Sequence, residues 1–227
     1  DVGIAEQHAV ASAAGMAFAG LHPVVCVYST FLNRAFDQLL LDVGLHNSGV
    51  TFVLDRAGIT GDDGPSHNGI WDLALTGIVP NLKVGAPRDG ARLRELLNES
   101  VDISDRPSLI RFPKGEINSD IPAFERRDGI DVLYRGESAD VLLISVGAMA
   151  NLCVEAASQS YREGVGVTVV DPRWVKPLPR ELATMANRYK SVVVVEDGIK
   201  HGGIASTLSE MFREEGISIR SEEHTSE

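Results

Sequence analysis

The stretch Asp1-Val2-Gly3-Ile4-Ala5-Glu6-Gln7-His8-Ala9-Val10 sets one carboxylate, Glu6, at the mouth of a run of small residues that continues to Gly20. Ala, Ser and Gly dominate the run, with Met16 and Phe18 interspersed. Alanine is the strongest helix former, and small side chains let a second backbone come close, so the run predicts a tightly packed helix. Glu6 then falls in the first turn, where the positive end of the helix dipole favours an ionised carboxylate. Taken alone, Glu6 reads as a capping acid.

Outward from this helix, strands and helices alternate. Pro23 to Tyr28 is a β-branched run after a Gly-Leu-His-Pro turn and reads as a strand buried on both faces. Ser29-Thr30 offers an N-cap for a helix from Phe31 to His46, closed by Asn47-Ser48-Gly49. Further strands are predicted over 50–54, 82–86 and 107–112, and helices over 71–75 and 89–101, with a glycine-rich loop over 55–69. Residues 116–139 turn polar and charged and read as an interdomain linker with a short strand at 131–134. The alternation then resumes with strands over 140–146, 165–170, 191–195 and 217–219 and helices over 149–162, 178–189 and 204–214. This pattern predicts an α/β protein of two parallel-sheet domains, 1–115 and 140–219. The closing Arg220–Glu227 resembles a translated sequencing adaptor and reads as a non-native tail. The start at Asp1, inside a motif and without Met, leads to the expectation of a fragment.

Composition narrows the function. A net charge of −11 over 227 residues argues against a general nucleic-acid or anionic-membrane binder. Cys26 and Cys153 each sit in an apolar run and read as buried thiols of a reducing compartment. No apolar run reaches membrane-spanning length and no signal peptide is visible, so a cytoplasmic location is expected.

Parallel sheets bind ligands beyond the carboxyl ends of their strands. Three stretches fall there: Tyr28 to Arg34, Asp55 to Gly69, and Arg111 to Gly115. Together they gather Tyr28, Phe31, Arg34, Arg56, Asp63, His67, Arg111 and Lys114 on one edge. Clustered cations suit a phosphorylated substrate, glycines let backbone approach a ligand, and His67 can move protons near neutral pH. Each residue also has a plainer reading. Arg34 and Arg56 serve as surface charges, His67 as a solvated histidine, Phe31 as core and Asp63 as a turn residue. No Walker loop, zinc-ligand spacing or nucleophile elbow occurs.

Ile-Ala-Glu-Gln-His-Ala-Val, Tyr-Ser-Thr-Phe-Leu, Asp-Arg-Ala-Gly-Ile and Gly-Pro-Ser-His-Asn-Gly together resemble the thiamine-diphosphate enzymes of the transketolase superfamily, and within it the deoxyxylulose-phosphate synthase family. The resemblance implies a partial pyrimidine-binding domain followed by a partial transketolase C-terminal domain. It implies that Glu6 hydrogen-bonds the cofactor's pyrimidine N1′ and that Phe31 stacks on that ring. Tyr28, Arg56 and Lys114 would hold the phosphate of D-glyceraldehyde 3-phosphate, with Arg34 and Arg111 as further cations and Asp63 and His67 on the acceptor. Pyruvate would be the donor. Position 114 is Lys where the family has Arg, which keeps the charge and loses the bidentate fork. The family's diphosphate and Mg²⁺ site, a Gly-Asp-Gly motif with a downstream Asn, has no counterpart here, so those ligands are expected in a missing N-terminal domain and this chain alone is expected to be inactive. A homodimer is implied for the whole enzyme. Val170 to Leu178 and Val195 to Gly203 resemble the C-terminal domain, where Glu196 and His201 read as structural. Two rivals stay open: a β-type subunit of a 2-oxo-acid dehydrogenase, and a non-catalytic module of the same fold.

Overall fold

The computed structural model describes residues 1–117, 119–218 and, as backbone, 220–224. The first unit opens with α1 (Glu6–Phe18), whose buried face is Glu6, Val10, Ala13 and Ala14. β1 (Val24–Tyr28) follows and runs into a mixed helical stretch. That stretch is 3₁₀ over Ser29–Ala35, a single α-turn α2 (Phe36–Gln38), and π-helical over Leu39–Gly44. The expected regular helix is therefore not regular. Its expected caps are engaged elsewhere: Ser29 Oγ donates to Gly69 O at 3.3 Å and Thr30 Oγ1 to Ser66 O at 3.5 Å. The helix start is tied to the glycine-rich loop instead of being capped.

β2 (Thr51–Asp55), α3 (Asp72–Gly77), β3 (Lys83–Gly85), α4 (Gly90–Val101) and β4 (Ser108–Arg111) complete the first unit. Asp89 caps α4 by accepting from Arg92 N at 2.7 Å, as its position before the helix requires. Strands β1, β2, β4 and β3 lie side by side and parallel. The register Tyr28↔Asp55 and Leu54↔Arg111 brings three strand ends to one edge of the sheet.

The second unit begins earlier than the sequence indicates. β5 (Glu125–Arg127) and β6 (Ile130–Tyr134) form an antiparallel hairpin on the second sheet, inside the stretch read as a linker. The apolar Ile130, Val132 and Leu133 are buried, and the intervening Asp131 is neutralised by two arginines. β7 (Val141–Ser145), α5 (Ala150–Arg162), β8 (Val167–Asp171), β9 (Trp174–Lys176), α6 (Glu181–Ala186), β10 (Ser191–Val195), α7 (Ile204–Glu214) and β11 (Arg220–His224) follow. The sheet order is β11-β10-β7-β8-β6-β5. Both sheets are mixed, because β6 pairs antiparallel with β8 and β9 leaves its own unit to pair antiparallel with β3. The closing strand is β11 at Arg220–His224, within the stretch read as a tail; Ile219 of the expected 217–219 strand lies outside the described residues.

β1 corrects a second expectation. It is an edge strand with Val24 46% and Tyr28 36% exposed, and Cys26 is exposed, whereas Cys153 is buried. β2 and β4, flanked on both sides, carry the fully buried Phe52, Leu54 and Ile110. One apolar cluster runs from Val10 and Phe52 through Val84 and Val175 to Ile144 and Leu208, so the two units share a core.

An ionic seam crosses that shared core. Arg88, just past β3, reaches Asp131 at 2.7 Å, Asp171 at 2.8 Å and Asp89 at 3.4 Å, with every one of these side chains buried. Burial pushes the Asp171 carboxyl up to about 6 despite Arg88. Removing one partner of a buried ion pair leaves an uncompensated charge, which costs about 3–5 kcal/mol. Arg88→Met should therefore lower stability by roughly that amount, while Asp171→Asn keeps Arg88 paired with Asp131 and costs clearly less. The stability that accompanies the raised Asp171 pKa is present below the free carboxylate value and is lost as pH rises through 6. Urea unfolding should show Asp171→Asn gaining on the parent protein between pH 4.5 and 7.5, and equal losses for both variants at both pH values would contradict this reading.

Candidate active site

Glu6 is the first residue of α1 and is 7% exposed. Its Oε2 is buried and has no hydrogen-bond partner; the nearest cation is Arg34 Nη1 at 3.6 Å. A buried carboxylate oxygen without a donor is costly, so Glu6 stands ready to take one. It lines a cavity of about 780 Å³ together with Ala9, Ala13, Val25, Tyr28 and Phe31. That volume lies in the range of small-molecule and cofactor sites.

Phe31 links this cavity to a second group of residues. Its ring stacks on Tyr28 with centroids 5.7 Å apart, meets the His67 ring edge-on at 5.6 Å, and lies under Arg34 at 5.1 Å. Arg56 covers the other partner, with its guanidinium carbon 3.8 Å from the Tyr28 ring centroid. Arg56 also pairs with Asp55 and lies 3.8 Å from Asp63, whose other oxygen accepts from Lys114 Nζ at 2.8 Å. Glu6, Arg34, Phe31, Tyr28, Arg56, Asp63, His67 and Lys114 are thus one connected set, drawn from α1, three strand ends and the loop. The hydrogen bond from Lys114 holds the Asp63 carboxyl below the usual carboxylate range.

The loop has a defined form. Gly58 and Gly69 exchange backbone hydrogen bonds at its neck, 3.0 and 2.8 Å. Thr60 donates its N–H and its hydroxyl to Asn68 Oδ1, each at 3.0 Å. Two 3₁₀ turns, Gly61–Asp63 and Pro65–His67, carry Asp63 and His67 at the tip, where Ser66 Oγ lies 3.0 Å from His67 Nδ1. Glycine is required at Gly69, because a Cβ there would lie 2.4 Å from Arg56 O.

Arg111 does not join the set. Its side chain is 3% exposed and pairs with Asp72 at 2.7 Å and Asp197 at 2.7 Å. Burial opposes its charge, but the two carboxylates overcome this and raise its pKa. A guanidinium so enclosed has no fork left for a phosphate, so the reading of Arg111 as a phosphate cation is corrected. Asp72 and Asp197 are functional candidates that sequence reasoning missed. The one signal for them was that a charged residue at a buried strand end must find carboxylates. Glu196 accepts the N–H groups of Ile204 and Ala205, both at 2.9 Å, and so closes the start of α7; His201 is exposed. Among the described residues, no group of three or more His, Cys, Asp or Glu side chains converges as a metal site would.

Glu6 Oε2, the Phe31 ring and the cations Arg34 and Arg56 thus lie along one edge of the first sheet. Residues 1–119 match the transketolase pyrimidine-binding domain family, residues 131–222 match the transketolase C-terminal domain family, and the chain belongs to the transketolase family. It is 59% identical over 222 residues to the 1-deoxy-D-xylulose-5-phosphate synthase of Mycolicibacterium vanbaalenii and 57% identical over 218 residues to that of Leifsonia xyli subsp. xyli. These alignments cover 96% of this chain and 35% and 34% of those proteins, so the chain spans about a third of the length of the relatives it matches. A split-gene transketolase solved as an inactive β4 tetramer superposes with a TM-score of 0.87 at 30% identity, over 98% of this chain and 72% of that one. Campylobacter jejuni transketolase, at 19% identity and a TM-score of 0.80 over 98% of this chain and 34% of that one, shares the fold. The family resemblance read from the N-terminal stretch and the loop motifs holds.

The Asp63–Lys114 pair can be checked directly. Carbon-13 NMR titration of the Asp63 carboxyl should give a pKa below the free value in the parent protein, rising toward it in Lys114→Met. An unchanged titration would mean that the pair does not form in solution. The stability tied to this pairing should be present above the free carboxylate pKa and lost as pH falls through the depressed one.

Proposed function

We propose that the protein of which this chain is a part condenses pyruvate with D-glyceraldehyde 3-phosphate, with loss of CO₂, to give 1-deoxy-D-xylulose 5-phosphate. The observation that carries this reading is Glu6 Oε2, buried, without a hydrogen-bond partner and on the wall of a cavity that also presents Phe31. The pair fits an aminopyrimidine, whose ring nitrogen would accept from a protonated Glu6 carboxyl and whose π-face would meet the Phe31 ring. When bound, thiamine diphosphate supplies the electron sink for the charge left by decarboxylation.

The chain's own residues then have distinct tasks. Glu6 holds the proton shared with the pyrimidine nitrogen, and Arg34 balances its charge. Phe31 orients the ring. Arg56, held flat against Tyr28, and Lys114 bind the acceptor phosphate. Asp63 and His67, set at the loop tip, contact the acceptor aldehyde and hydroxyl. Diphosphate and Mg²⁺ are assigned to parts of the enzyme beyond the described residues. The exposed apolar residues lining the cavity, Ile4 at 84%, Met16 at 47% and Val24 at 46%, support a homodimeric enzyme covered on this face. Among the described residues no helix is long and apolar enough to cross a membrane; a cytoplasmic location is part of the proposal.

The full-length protein should release 1-deoxy-D-xylulose 5-phosphate from the two substrates in the presence of thiamine diphosphate and Mg²⁺. Glu6→Gln should lower kcat about 100-fold or more. Arg56→Ala should raise KM for D-glyceraldehyde 3-phosphate about tenfold and leave KM for pyruvate nearly unchanged. Delivery of the two-carbon unit to a lipoyl group instead of to the aldehyde would overturn the assignment.

A further inference from the structure

Arg111, Asp72 and Asp197 are too well buried and too well paired to serve as surface charges, and they sit under the loop that carries Asp63 and His67. Arg111 ends β4. Its Nε donates to Asp72 Oδ2 and its Nη1 to Asp197 Oδ1, both at 2.7 Å, and its Nη2 to Asp197 O at 3.4 Å. Asp72 is the first residue of α3, directly after the loop, and Asp197 follows β10 in the second unit. One guanidinium therefore joins the floor of the first sheet, the exit of the loop and the second unit.

Three further contacts act in the same place. Gly58, at the loop neck, has φ +78° and lies against Asp197 so closely that a Cβ would meet Asp197 Oδ2 at 2.2 Å. Ile199 N donates to Ile70 O at 3.1 Å. At the far end of α3, Lys176 Nζ on β9 donates to Thr76 O, Gly77 O and Val79 O at 2.5 to 2.9 Å. The second unit thus grips the loop neck and both ends of α3, while the loop tip is left in reach of solvent. Three residues beyond Arg111 comes Lys114, which pairs with Asp63 on that tip. The same anchored segment fixes both sides of the Asp63–Lys114 pair.

We propose that Arg111, Asp72 and Asp197 form a buried ionic clamp through which the second unit sets the position of the 56–71 loop, making them positioning residues for the acceptor end of the site. The clamp rests on the reading of Arg56, Asp63, His67 and Lys114 as the acceptor site. It separates two roles for cations at the end of β4: Lys114 faces the ligand, and Arg111 holds the frame. A loosened clamp should weaken the hold on the phosphorylated acceptor far more than the handling of pyruvate, because Glu6 pairs with Arg34 and α1 is anchored by Val10, Ala13 and Ala14 in the apolar core, neither through the ion pairs of the clamp.

The test uses the full-length enzyme and Asp197→Asn, which keeps shape and one acceptor while removing the charge. KM for D-glyceraldehyde 3-phosphate should rise about tenfold, and KM for pyruvate should change less than twofold. Amide hydrogen exchange at Gly58 and Gly69 should accelerate in the same variant, a readout that does not depend on turnover. Lys176→Met, which frees only the far end of α3, should give the same selective pattern at smaller amplitude, and serves if Asp197→Asn does not fold. Equal changes in both KM values, or unchanged exchange at the loop neck, would overturn the clamp. Should the parent enzyme fail to make the product at all, the functional reading falls, and exchange at Gly58 and Gly69 alone decides for or against the clamp.

Discussion

Two buried arginines at the end of the first sheet reach across to carboxylates of the second unit, and much of the remaining architecture depends on them. Arg88 follows β3 and meets Asp131 and Asp171; Arg111 ends β4 and meets Asp72 and Asp197. Neither guanidinium could be left in this core alone, since an unpaired buried charge costs several kcal/mol. The partners come from distant parts of the chain, 83 and 86 residues away for Asp171 and Asp197. Apolar cluster and ionic seam therefore require each other: the shared core brings the units together, and the seam fixes their register. β9 completes the lock by leaving its own unit and pairing with β3.

This constraint explains the form of the proposed acceptor site. A loop of some fifteen residues between β2 and α3 would ordinarily be mobile. Here its neck is closed by the Gly58–Gly69 pair, pressed by Asp197 and continued into a short helix gripped at both ends. Only the tip, with Asp63 and His67, is left to respond to a ligand. Arg56 adopts φ 60° at the end of β2, a conformation that a non-glycine residue holds only when its surroundings impose it. In this conformation its guanidinium lies over Tyr28, so the strain is spent in aiming a cation.

What the sequence disclosed was local. Alternation of apolar runs with helical segments gave the strands and most helices, and their carboxyl ends marked the edge where Tyr28, Arg56 and Lys114 assemble. What it hid was relational. Whether a β-branched strand is central or at an edge is decided by neighbours, so β1 and Cys26 looked buried and are not. Residues 116–139 looked like a linker because the Arg126 and Asp131 charges mask a hairpin whose polar groups are satisfied only in the folded state. Arg111 looked like a phosphate ligand for the same reason that Lys114 does, namely position after a strand. Only the fold shows that one side chain turns inward to carboxylates and the other outward.

The two halves of the site are completed by different means. The proposed acceptor half is finished within this chain, by the second unit pressing on the loop. The proposed cofactor half is not: Glu6 Oε2 lacks a hydrogen-bond partner, and the cavity beside it is lined by the exposed Ile4, Met16 and Val24. An apolar surface of that kind next to an unsatisfied buried carboxylate is costly to leave in water. Under the proposed function it becomes favourable when a ring fills the cavity and another protein surface covers the rim. Under the proposed function, cofactor binding and assembly draw on the same residues, and acceptor selectivity is carried by the seam. A change on α1 or β1 should act on both cofactor retention and association, and a change at the seam on neither, because no side chain of the Arg111 cluster reaches the cavity wall.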